Sequence, residues 1–517
     1  MMAKESILPK GLPKETKSLC PECKKVVPAH IYASDGKVMM DKECPQHGKI
    51  TDVYWSDVDL FLRAEKYAYE GVGIENPLIK DAKTCPDNCG LCNLHTTHTA
   101  LANLDLTNRC NLKCPICFAN ANQAGYVYEP SFEEVVFMLE TLRAERPVPC
   151  PAVQFSGGEP TIYPRFLDVI RKAKELKFAQ IQVATNGLRM AREPDFVKDC
   201  AEAGLNTIYL QFDGVTDDIY MKTRNRELFD IKVKAIENVR KLTKKRPSIV
   251  LVPTVVKGLN DHQIGDIIRF ALENRDVVRG VNFQPVAFTG RIDQEERVKG
   301  RYTIPDLIRD IQEQTGLTKD EDWYPVPSVA PISNYASALL GSDKVTFTNH
   351  PHCGIATYWF INNDGDVVPL TQFVDVDAMI KDIFELSKKT ADSVFPKLSL
   401  IKARKIFKKH LIEEKLPDGL TANQFLDTLT NIINNETKSG LAKFSWNMML
   451  VSSMHFQDDY NYDIERVRRC SIHYVVPDGR IIPFCAYNGG PTYRDEVEKK
   501  FSVPLDEWRK TRGSEYT

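Results

Sequence analysis

The sequence has no long apolar run and almost no net charge. No stretch reaches the roughly 18 uninterrupted apolar residues that a membrane-spanning helix needs, and we find no apolar core of signal-peptide length at the N-terminus. The formal net charge is -2, with no clustered basic patch, which argues against bulk electrostatic binding of nucleic acid. We therefore expect a cytoplasmic protein without a nucleic-acid partner, and leave open a peripheral contact at the inner face of the membrane.

Cysteine, by contrast, is plentiful, with 14 residues in a chain of 517. In a reducing compartment, clustered cysteines hold metal more often than they form disulfides. Cys150 and Cys200 stand apart from the other cysteines, and we interpret them as small buried hydrophobic residues. The remaining cysteines fall into short-range groups or flank Gly/Pro-rich turns, and the chain divides into four regions.

Residues 1–60 carry the first group, in "LCPECKK" and "KECPQHGK". This Cys-x2-Cys and Cys-x2-His pattern is typical of two turns that close tetrahedrally on one ion, as in zinc ribbons and rubredoxin-like knuckles. Zinc and iron are both compatible with three thiolates and one imidazole. The predicted ligands of this single zinc or iron ion are Cys20, Cys23, Cys44 and His47.

Residues 61–100 carry "KTCPDNCGLCNLHTTH", in which three thiols lie in a Cys-x3-Cys-x2-Cys arrangement. A tight loop with three thiolates fits a cubane iron-sulfur cluster better than a single ion. We predict an auxiliary 4Fe-4S cluster on Cys85, Cys89 and Cys92. Its fourth ligand is undecided, and His95 and His98 are near enough in sequence to consider.

Residues 101–300 alternate strand-like runs with segments of helical period, from "LANLDLT" to "GVNFQPV". Six such βα units predict a parallel sheet covered by helices, either an open sheet or a partial barrel. Chemistry in such folds belongs at the carboxyl ends of the strands. Four motifs fall at those ends: "CNLKCPICFAN", "SGGEP", "ATNG" and "QFDG".

Residues 301–517 begin with helical segments and contain two similar pieces, each with an Asp-Gly turn between two β-like runs. We predict two hairpins whose ends carry Cys353, Cys470 and Cys485 as ligands of a further auxiliary cluster. The Lys-rich segment 402–409 is interpreted as a solvated helix face. Aromatic and methionine-rich runs in this region are interpreted as core.

Cys110, Cys114 and Cys117, followed by Phe118, resemble the cluster-binding loop of radical SAM enzymes. Three cysteines on a 4Fe-4S cubane leave one iron with an open position. In that family the open iron chelates the amino and carboxylate groups of S-adenosyl-L-methionine. The resemblance therefore implies that the missing fourth cysteine marks the catalytic site, and that the core is a partial (β/α)6 TIM-like barrel.

The same resemblance implies cofactor-binding roles for residues at the next three strand ends. In "SGGEP", the glycines leave room for close backbone approach to the methionine amine. In "ATNG" and "QFDG", polar side chains end their strands, where they can reach a carboxylate or a ribose. The expected cofactor-binding residues are Phe118, Gly157, Gly158, Glu159, Thr185, Asn186, Gln211 and Asp213.

The extra cysteine groups resemble those of radical SAM enzymes with auxiliary clusters and a C-terminal SPASM- or twitch-like α+β domain, here residues 301–517. The whole layout resembles archaeal tetraether lipid synthases. That resemblance implies that the enzyme joins the terminal methyl carbons of two phytanyl chains of an archaeol-type membrane lipid, by hydrogen abstraction and capture of the carbon radical on an auxiliary-cluster sulfur. The product would be a tetraether lipid or macrocyclic archaeol, and the electron donor is unknown.

Two alternatives stay open at this point. A radical SAM peptide or cofactor maturase would use the same auxiliary clusters, and would present a peptide-recognition surface in place of a deep apolar cavity. An iron-sulfur electron carrier would also explain the cysteines. That second alternative leaves "SGGEP" and "ATNG" without a purpose.

Overall fold

The computed structural model describes residues 3–290, 292, 296–362, 364–435 and 448–512 of the chain. None of the helices in this described part combines the length and the apolar character that a membrane span needs. The largest core cluster runs from the N-terminal ribbon through the barrel and includes strand residues of the C-terminal region, so these regions share one hydrophobic core.

The N-terminal ribbon is a four-stranded antiparallel meander. Its two central strands alternate buried residues with more exposed ones, as expected for a small sheet with one packed face. Its strands are β1 (Lys14–Leu19), β2 (Val26–Ser34), β3 (Lys37–Cys44) and β4 (Gly48–Trp55). The inner face, which includes Trp55 and Met40, packs against the short helix that follows, α1 (Val58–Glu65).

Six parallel strands form the centre of the molecule, as the sequence predicts. They are β5 (Leu101–Thr107), β6 (Ala152–Gly157), β7 (Gln180–Thr185), β8 (Thr207–Gln211), β9 (Ser248–Val252) and β10 (Val278–Pro285). Leu104, Phe155, Val183, Ile208 and Ile249 lie side by side in register across five of these strands, and all are fully buried. This row packs under the helices that cover the sheet.

Helices follow the strands as crossover connections. They are α2 (Phe132–Ala144), α3 (Phe166–Glu175), α4 (Leu188–Arg192), α5 (Pro194–Ala203), α6 (Asp217–Arg224), α7 (Phe229–Arg240), α8 (Ile264–Glu273), α9 (Arg297–Gly300) and α10 (Ile304–Thr315). Ser131 begins α2 with a capping box, because its hydroxyl accepts from the Glu134 amide while Glu134 accepts from the Ser131 amide. Parallel strands need such long crossovers, which places all six carboxyl ends at one rim.

The C-terminal region extends the barrel sheet at both edges. Its strands are β11 (Gly354–Ile361), β12 (Val367–Pro369), β13 (Met448–Met454), β14 (Ile472–Val475) and β15 (Ile481–Pro483). β13 lies parallel to β10, and β14 lies parallel to β5, while β11 with β12 and β14 with β15 form the two antiparallel hairpins that the sequence predicts. The boundary at residue 300 therefore does not separate two independent sheets.

A second hydrophobic cluster gathers the helices of the C-terminal region. They are α11 (Ala330–Leu340), α12 (Val376–Ala391), α13 (Ser399–Lys409) and α14 (Ala422–Asn435). Four further helices lie in the described part of the chain after residue 448: α15 (Ile464–Arg468), α16 (Phe484–Asn488), α17 (Tyr493–Lys500) and α18 (Leu505–Arg512). Lys402 and Lys405 on α13 are exposed, in agreement with the interpretation of this segment as a solvated helix face.

Six short strands lie outside these groups in the described part of the chain: Lys4–Glu5, Tyr69–Glu70, Tyr126–Tyr128, Thr254–Val255, Tyr324–Pro325 and Ser502–Pro504.

Cys150 and Cys200 are both fully buried within the main core, which confirms their interpretation as small hydrophobic residues.

Candidate functional site

A cavity of about 1150 Å³ opens at the carboxyl ends of the barrel strands. Barrel strand ends form one wall, and β11, β13 and α16 of the C-terminal region contribute to the other. A row of amides crosses the barrel interior, because Gln182 donates to Gln154 (2.8 Å) and Gln154 donates to Asn103 (2.7 Å). Phe407 of α13 and Phe425 of α14 line the end of the cavity that these helices cover. The cavity thus has a polar floor and apolar upper walls.

Cys110, Cys114 and Cys117 lie on the loop after β5, and all three line this cavity. None of them is in a disulfide. The Leu112 amide donates to the sulfur of Cys110 at 3.4 Å, and burial raises the pKa of the Cys110 thiol. The loop therefore presents three thiols to one space, as the sequence predicts for a cluster-binding loop.

Asn122 fixes the shape of this loop, and sequence reasoning does not identify it. Its side-chain oxygen accepts from the amide of Cys110 (2.9 Å), while its amide group donates to the carbonyls of Cys110 (2.6 Å) and Leu112 (3.1 Å). Asn122 itself has a left-handed backbone, with φ of 66°, a conformation that Asn tolerates better than most residues. The only available signal in the sequence is an Asn in a turn-rich stretch.

Gly157 and Gly158 make room for the chain itself. A Cβ on Gly157 would lie 2.2 Å from the Thr107 carbonyl oxygen, and one on Gly158 would lie 2.2 Å from the Arg109 carbonyl oxygen. Gly157 also has a φ of +123°, a conformation that side chains rarely adopt. Both glycines line the cavity. The missing Cβ atoms let the "SGGEP" turn pack directly against the residues that lead into the cysteine loop. The contact that requires glycine here is therefore within the protein, whereas the sequence analysis expects close approach to a bound cofactor.

Glu159 joins the ends of β6 and β7. Its carboxylate is almost fully buried and accepts hydrogen bonds from the hydroxyls of Thr161 (2.6 Å) and Thr185 (2.7 Å) and from the Asn186 amide (2.9 Å). The Asn186 side chain in turn donates to Asn111 of the cysteine loop at 2.7 Å. These contacts place Glu159, Thr185 and Asn186 together on the cavity wall.

Asp213 lies elsewhere than expected. It is fully buried, does not line the cavity, and accepts two bonds from Arg224, at 2.6 and 3.0 Å. Burial alone would lower the pKa of Arg224, but the Asp213 carboxylate raises it above its usual value. Arg224 lines the cavity, donates to the Ile116 carbonyl (2.8 Å) and bonds the Cys114 thiol. The carboxylate therefore positions Arg224, which sequence reasoning missed.

Lys232 is a second buried cation behind the wall. Its ammonium donates to the Asn186 carbonyl (2.6 Å) and to the side-chain oxygen of Gln211 (2.8 Å), a residue that lines the cavity. Burial lowers the pKa of Lys232 to about 7. In the sequence, Lys232 shows only as a lysine on the apolar side of a helix. This signal is weak, because lysines at such positions often extend along the apolar surface and place their charge in solvent. In the structure it joins the ends of β7 and β8.

The second wall carries another three cysteines. Cys353, Cys470 and Cys485 come from three separate segments and line the same cavity as the first three. Arg466 is fully buried among them and donates to the Cys353 sulfur at 3.3 Å, and the Gln457 amide donates to the Cys485 sulfur at 3.3 Å. Burial raises the pKa of Cys485 to about 11. A buried guanidinium beside three thiols is suited to a site whose bound group carries negative charge.

Cys85, Cys89 and Cys92 lie behind that second wall and do not line the cavity. Cys89 packs in the same core cluster as Cys485. The amide of Cys89 donates to the Tyr493 hydroxyl (3.3 Å), which itself donates to the Pro86 carbonyl (2.6 Å). The two auxiliary cysteine groups are therefore neighbours, one facing the cavity and the other buried behind it.

His95 and His98 make contacts with the surrounding protein. The ring nitrogen Nε2 of His95 lies 2.8 Å from the Cys470 carbonyl and 3.1 Å from Nε2 of His473, and that of His98 accepts from the Thr346 amide at 3.1 Å. Burial lowers the pKa of His95 and the pKa of His98 to about 4. Both are neutral side chains that connect the Cys92 segment to the second wall.

The ribbon brings its four predicted ligands together. The Nδ1 atom of His47 lies 3.4 Å from the Cys20 sulfur and 3.5 Å from the Cys44 sulfur, and the sulfurs of Cys23 and Cys44 are 3.8 Å apart. The backbone amide of Gln46 lowers the pKa of Cys44 to about 6, which favours its thiolate. These spacings fit four ligands on one tetrahedral ion.

The ligand atoms of the ribbon lie closer together than those of the other cysteine groups. The four ribbon ligand atoms all lie within 4.8 Å of one another, and no other group of three or more such ligands in the described ranges comes as close. Sulfurs that share one tetrahedral ion lie about 4 Å apart. The ribbon spacing is therefore the one among the described residues that suits a single ion.

Comparison with known proteins agrees with this geometry. The profile of the radical SAM superfamily matches residues 104–271, and the profile described as the HMPTM N-terminal zinc ribbon domain matches residues 12–56. The fold and the site together define a radical SAM protein with an N-terminal zinc ribbon. Such a protein takes S-adenosyl-L-methionine and a 4Fe-4S cluster, and its ribbon suits a single metal ion.

The chain belongs to the family of the 7,8-dihydro-6-hydroxymethylpterin dimethyltransferase of Methanocaldococcus jannaschii. The two are 46% identical over 500 residues, which cover 96% of this chain and 97% of that protein. The GTP 3',8-cyclase of Clostridium acetobutylicum is 27% identical over 40% of this chain and 61% of its own length. The solved structure of Streptococcus suis SuiB bound to its precursor peptide SuiA is 17% identical, covers 43% of this chain and 46% of that one, and has a TM-score of 0.35.

The expectation of a lipid-coupling enzyme with an archaeol-type lipid partner is contradicted. The relative that matches nearly the whole chain is named for a pterin substrate and for methyl transfer. The motifs behind that expectation define the cysteine groups, and the cysteine groups do not specify the substrate. The radical SAM part of the expectation is confirmed.

Proposed function

We propose that Cys110, Cys114 and Cys117 hold the cluster that binds S-adenosyl-L-methionine. Three features support this assignment: the thiols line one cavity, they lie at a strand end of the barrel, and they fall within the part of the chain that matches the radical SAM profile. Donors already point at this group, from the Leu112 amide and from Arg224. Phe118 ends the loop, lines the cavity and contacts Phe484, with ring centroids 5.9 Å apart.

When bound, the cluster and S-adenosyl-L-methionine supply a 5'-deoxyadenosyl radical that abstracts hydrogen from unactivated C–H groups. The side chains around the site bind and orient the cofactor. Thr185, Asn186 and Gln211 end neighbouring strands on the cavity wall, where hydroxyl and amide groups meet a carboxylate or a ribose. Arg224, whose charge is paired with Asp213, adds guanidinium donors beside the loop for the cofactor's carboxylate. Glu159 holds the β6 and β7 ends that carry these groups.

The other cysteine groups hold two auxiliary clusters in this proposal. Cys353, Cys470 and Cys485 face the cavity, so a cluster there would share the substrate's space with the cofactor. Arg466 fits this assignment, since one of its terminal nitrogens is buried without a hydrogen-bond partner in the described structure. Cys85, Cys89 and Cys92 would hold the cluster behind it. With both clusters, the C-terminal region would be SPASM-like in this proposal.

We further propose that the substrate is a reduced pterin and that the reaction is methyl transfer to it. The observation that carries this step is the relationship over 97% of the length of the dimethyltransferase from Methanocaldococcus jannaschii. The cavity offers flat surfaces for a bicyclic ring, because Phe456 and Phe484, whose ring centroids are 3.8 Å apart, both line it. Asn282 and Gln284 of β10 also line this space, and amides match the mixed donor and acceptor edge of a pterin.

The test is an anaerobic assay of the reconstituted protein with 7,8-dihydro-6-hydroxymethylpterin, a chemical reductant and S-adenosyl-L-methionine that carries a deuterated methyl group. Mass spectrometry would measure 5'-deoxyadenosine and methylated pterins together. We expect both products in the native protein, and neither in the Cys114→Ala variant. Deuterium in the pterin would identify S-adenosyl-L-methionine as the methyl source, and its absence would identify a separate donor.

If 5'-deoxyadenosine forms but pterin is unchanged, the substrate assignment is wrong and the cluster assignment stands. If neither product forms although iron loading is complete, both assignments fail. Cys200→Ala is the matched control, because Cys200 is a free cysteine that belongs to none of the cysteine groups. It should form both products as the native protein does.

A further inference from the structure

Arg466 is a buried cation without an acidic partner in the described part of the chain. It is one of six buried arginines there. The other five pair with carboxylates: Arg109 with Glu129, Arg224 with Asp213, Arg301 with Asp458, Arg469 with Glu70 and Arg494 with Asp105. Arg466 forms no ion pair with any described residue. Because an isolated buried charge is costly, Arg466 needs a negative partner of another kind.

The groups around Arg466 identify that partner. Its Nε atom donates to the Cys353 sulfur at 3.3 Å, and Nη2 donates to the His455 carbonyl at 2.5 Å. Burial would lower the pKa of Arg466, but Cys353, Tyr54 and Cys485 raise it above its usual value. The remaining nitrogen, Nη1, is buried and has no hydrogen-bond partner in the described structure. The guanidinium therefore faces thiols of the second wall.

The charge of Arg466 favours a reduced cluster on these thiols. A 4Fe-4S cluster held by three thiolates is negatively charged, and it becomes more negative when it takes up an electron. A fixed cation nearby stabilises the reduced form more than the oxidised form, which raises the reduction potential. Solvent would screen this effect at the surface, but Arg466 is only 1% exposed.

Asp463 holds the short helix that carries Arg466. At the start of α15, its carboxylate accepts from the Glu465 amide at 3.0 Å. The same carboxylate accepts from two ribbon hydroxyls, those of Thr16 on β1 and Tyr54 on β4, each at 2.9 Å. Asp463 and Tyr54 are both buried. The ribbon therefore helps to fix α15, and with it the guanidinium, against the second wall.

We propose that Arg466 is a positioning residue for the auxiliary cluster of the second wall, where it balances the cluster's negative charge and raises its reduction potential. The inference rests on the proposed function, which assigns a cluster to these thiols. Asp463 and the ribbon keep the guanidinium in place. The ribbon thus contributes to the second wall although none of residues 14–55 lines the cavity.

Redox titration of the loaded protein tests this role. A Cys114→Ala background removes the cofactor cluster, dithionite supplies one electron to each remaining cluster, and electron paramagnetic resonance follows their reduction. The signal that Cys485→Ala removes belongs to the second wall. In Arg466→Gln, we expect its equilibrium to shift at least about tenfold towards the oxidised form, a fall in potential of about 59 mV for one electron. Arg466→Lys keeps the charge and should recover most of this shift.

The outcomes separate this inference from the proposed function. A native potential in Arg466→Gln would overturn the inference. Equal shifts in Arg466→Gln and Arg466→Lys would overturn it too, because the charge would then not be the cause. Iron content is measured before each titration. If Cys485→Ala retains the native iron content, the second wall holds no cluster and the proposed function fails instead.

Tyr54→Phe tests the ribbon contact while Arg466 stays in place, and it keeps the proposal testable if Arg466→Gln does not fold. The variant removes the hydroxyl that donates to Asp463, so we expect a fall in potential in the same direction and of smaller size. Tyr32→Phe is the matched control, because the Tyr32 hydroxyl donates to Asp41 within the ribbon at 3.1 Å. It should keep the native potential. An unchanged potential in Tyr54→Phe, or equal shifts in both variants, would contradict positioning through Asp463.

Discussion

The ribbon and the cavity use cysteine in different ways. In the ribbon, three thiols and His47 converge within 4.8 Å, so that every coordination position of one ion is taken by the protein. In the cavity, two groups of three thiols face a common space from opposite walls. A fourth protein ligand closes a structural metal site, whereas a cluster held by three thiols keeps a position open for a cofactor or substrate.

The largest effect is expected from Cys114→Ala. Removal of one of three thiols from the cofactor loop should reduce the formation of 5'-deoxyadenosine to background, because no remaining side chain of the loop can replace the thiolate. Chromatography of the anaerobic reaction measures this product. Iron content should fall by about one cluster, and native iron content with undiminished cleavage would contradict the assignment.

Cys485→Ala should separate cofactor cleavage from product formation. This thiol belongs to the opposite wall, so we expect substrate turnover to fall by at least about 100-fold while 5'-deoxyadenosine is still formed. Both products can be quantified in one reaction mixture. Equal losses of the two would show that the walls do not have separate roles.

Asp213→Asn tests the support behind the cofactor wall. The change leaves Arg224 buried with a neutral partner, which should lower the free energy of unfolding by about 3 to 5 kcal/mol and raise the KM for S-adenosyl-L-methionine. Denaturant unfolding and steady-state kinetics measure the two effects. The exposed pair Arg165 and Asp168 provides a control, since Asp168→Asn should change stability by less than about 1 kcal/mol.

Cys23→Ser should affect the ribbon alone. The variant is expected to lose one metal ion per chain and to unfold its ribbon at a lower temperature, because a structural ion contributes directly to folding. The rate of 5'-deoxyadenosine formation at 25 °C should match that of the native protein. A large loss of activity with an intact ribbon would show that this site takes part in the reaction.

Glu145→Gln is expected to change stability without altering metal content. Burial raises the pKa of Glu145 to about 7, while one carboxylate oxygen accepts from the Thr99 amide at 2.7 Å and the other has no partner in the described structure. The folded state therefore retains a proton between pH 4.5 and about 7, and stability is lost as the pH rises through that range.

Gln keeps the bond from Thr99 and cannot ionise. The variant should match the native protein below pH 4.5 and exceed it by at most about 3 kcal/mol above pH 7. Denaturant titrations at several pH values would measure this difference. A difference that does not change with pH would show that the carboxyl group is already ionised when folded.

The sequence was informative wherever a short local pattern determines the structure. The six barrel strands, both hairpins and the convergence of Cys20, Cys23, Cys44 and His47 follow from periodicity and spacing. The sequence could not predict that β13 continues the barrel sheet. Ser452 of β13 pairs with Asn282 of β10, although 170 positions separate the two residues in the chain. Parallel pairing at such separations has no local signal.

The supporting polar residues were missed for a related reason. Arg224, Lys232 and Arg466 each act through contacts with segments distant in sequence, whereas Asn122 holds the loop just before it. An isolated polar residue on a helix or loop is more often solvated. The substrate could not be predicted from the sequence motifs either. It depends on a cavity lined from many segments, whereas the motifs describe only the cysteine loops, which is why the lipid expectation was wrong.

The most direct measurement is electron-nuclear double resonance of the reduced protein with S-adenosyl-L-methionine carrying ¹⁵N in its amino group. We expect a ¹⁵N coupling to the cluster on Cys110, Cys114 and Cys117 that disappears in Cys114→Ala and persists in Cys23→Ser. A fully loaded protein that shows no ¹⁵N coupling would contradict the claim that the three-cysteine loop leaves an iron open for the cofactor.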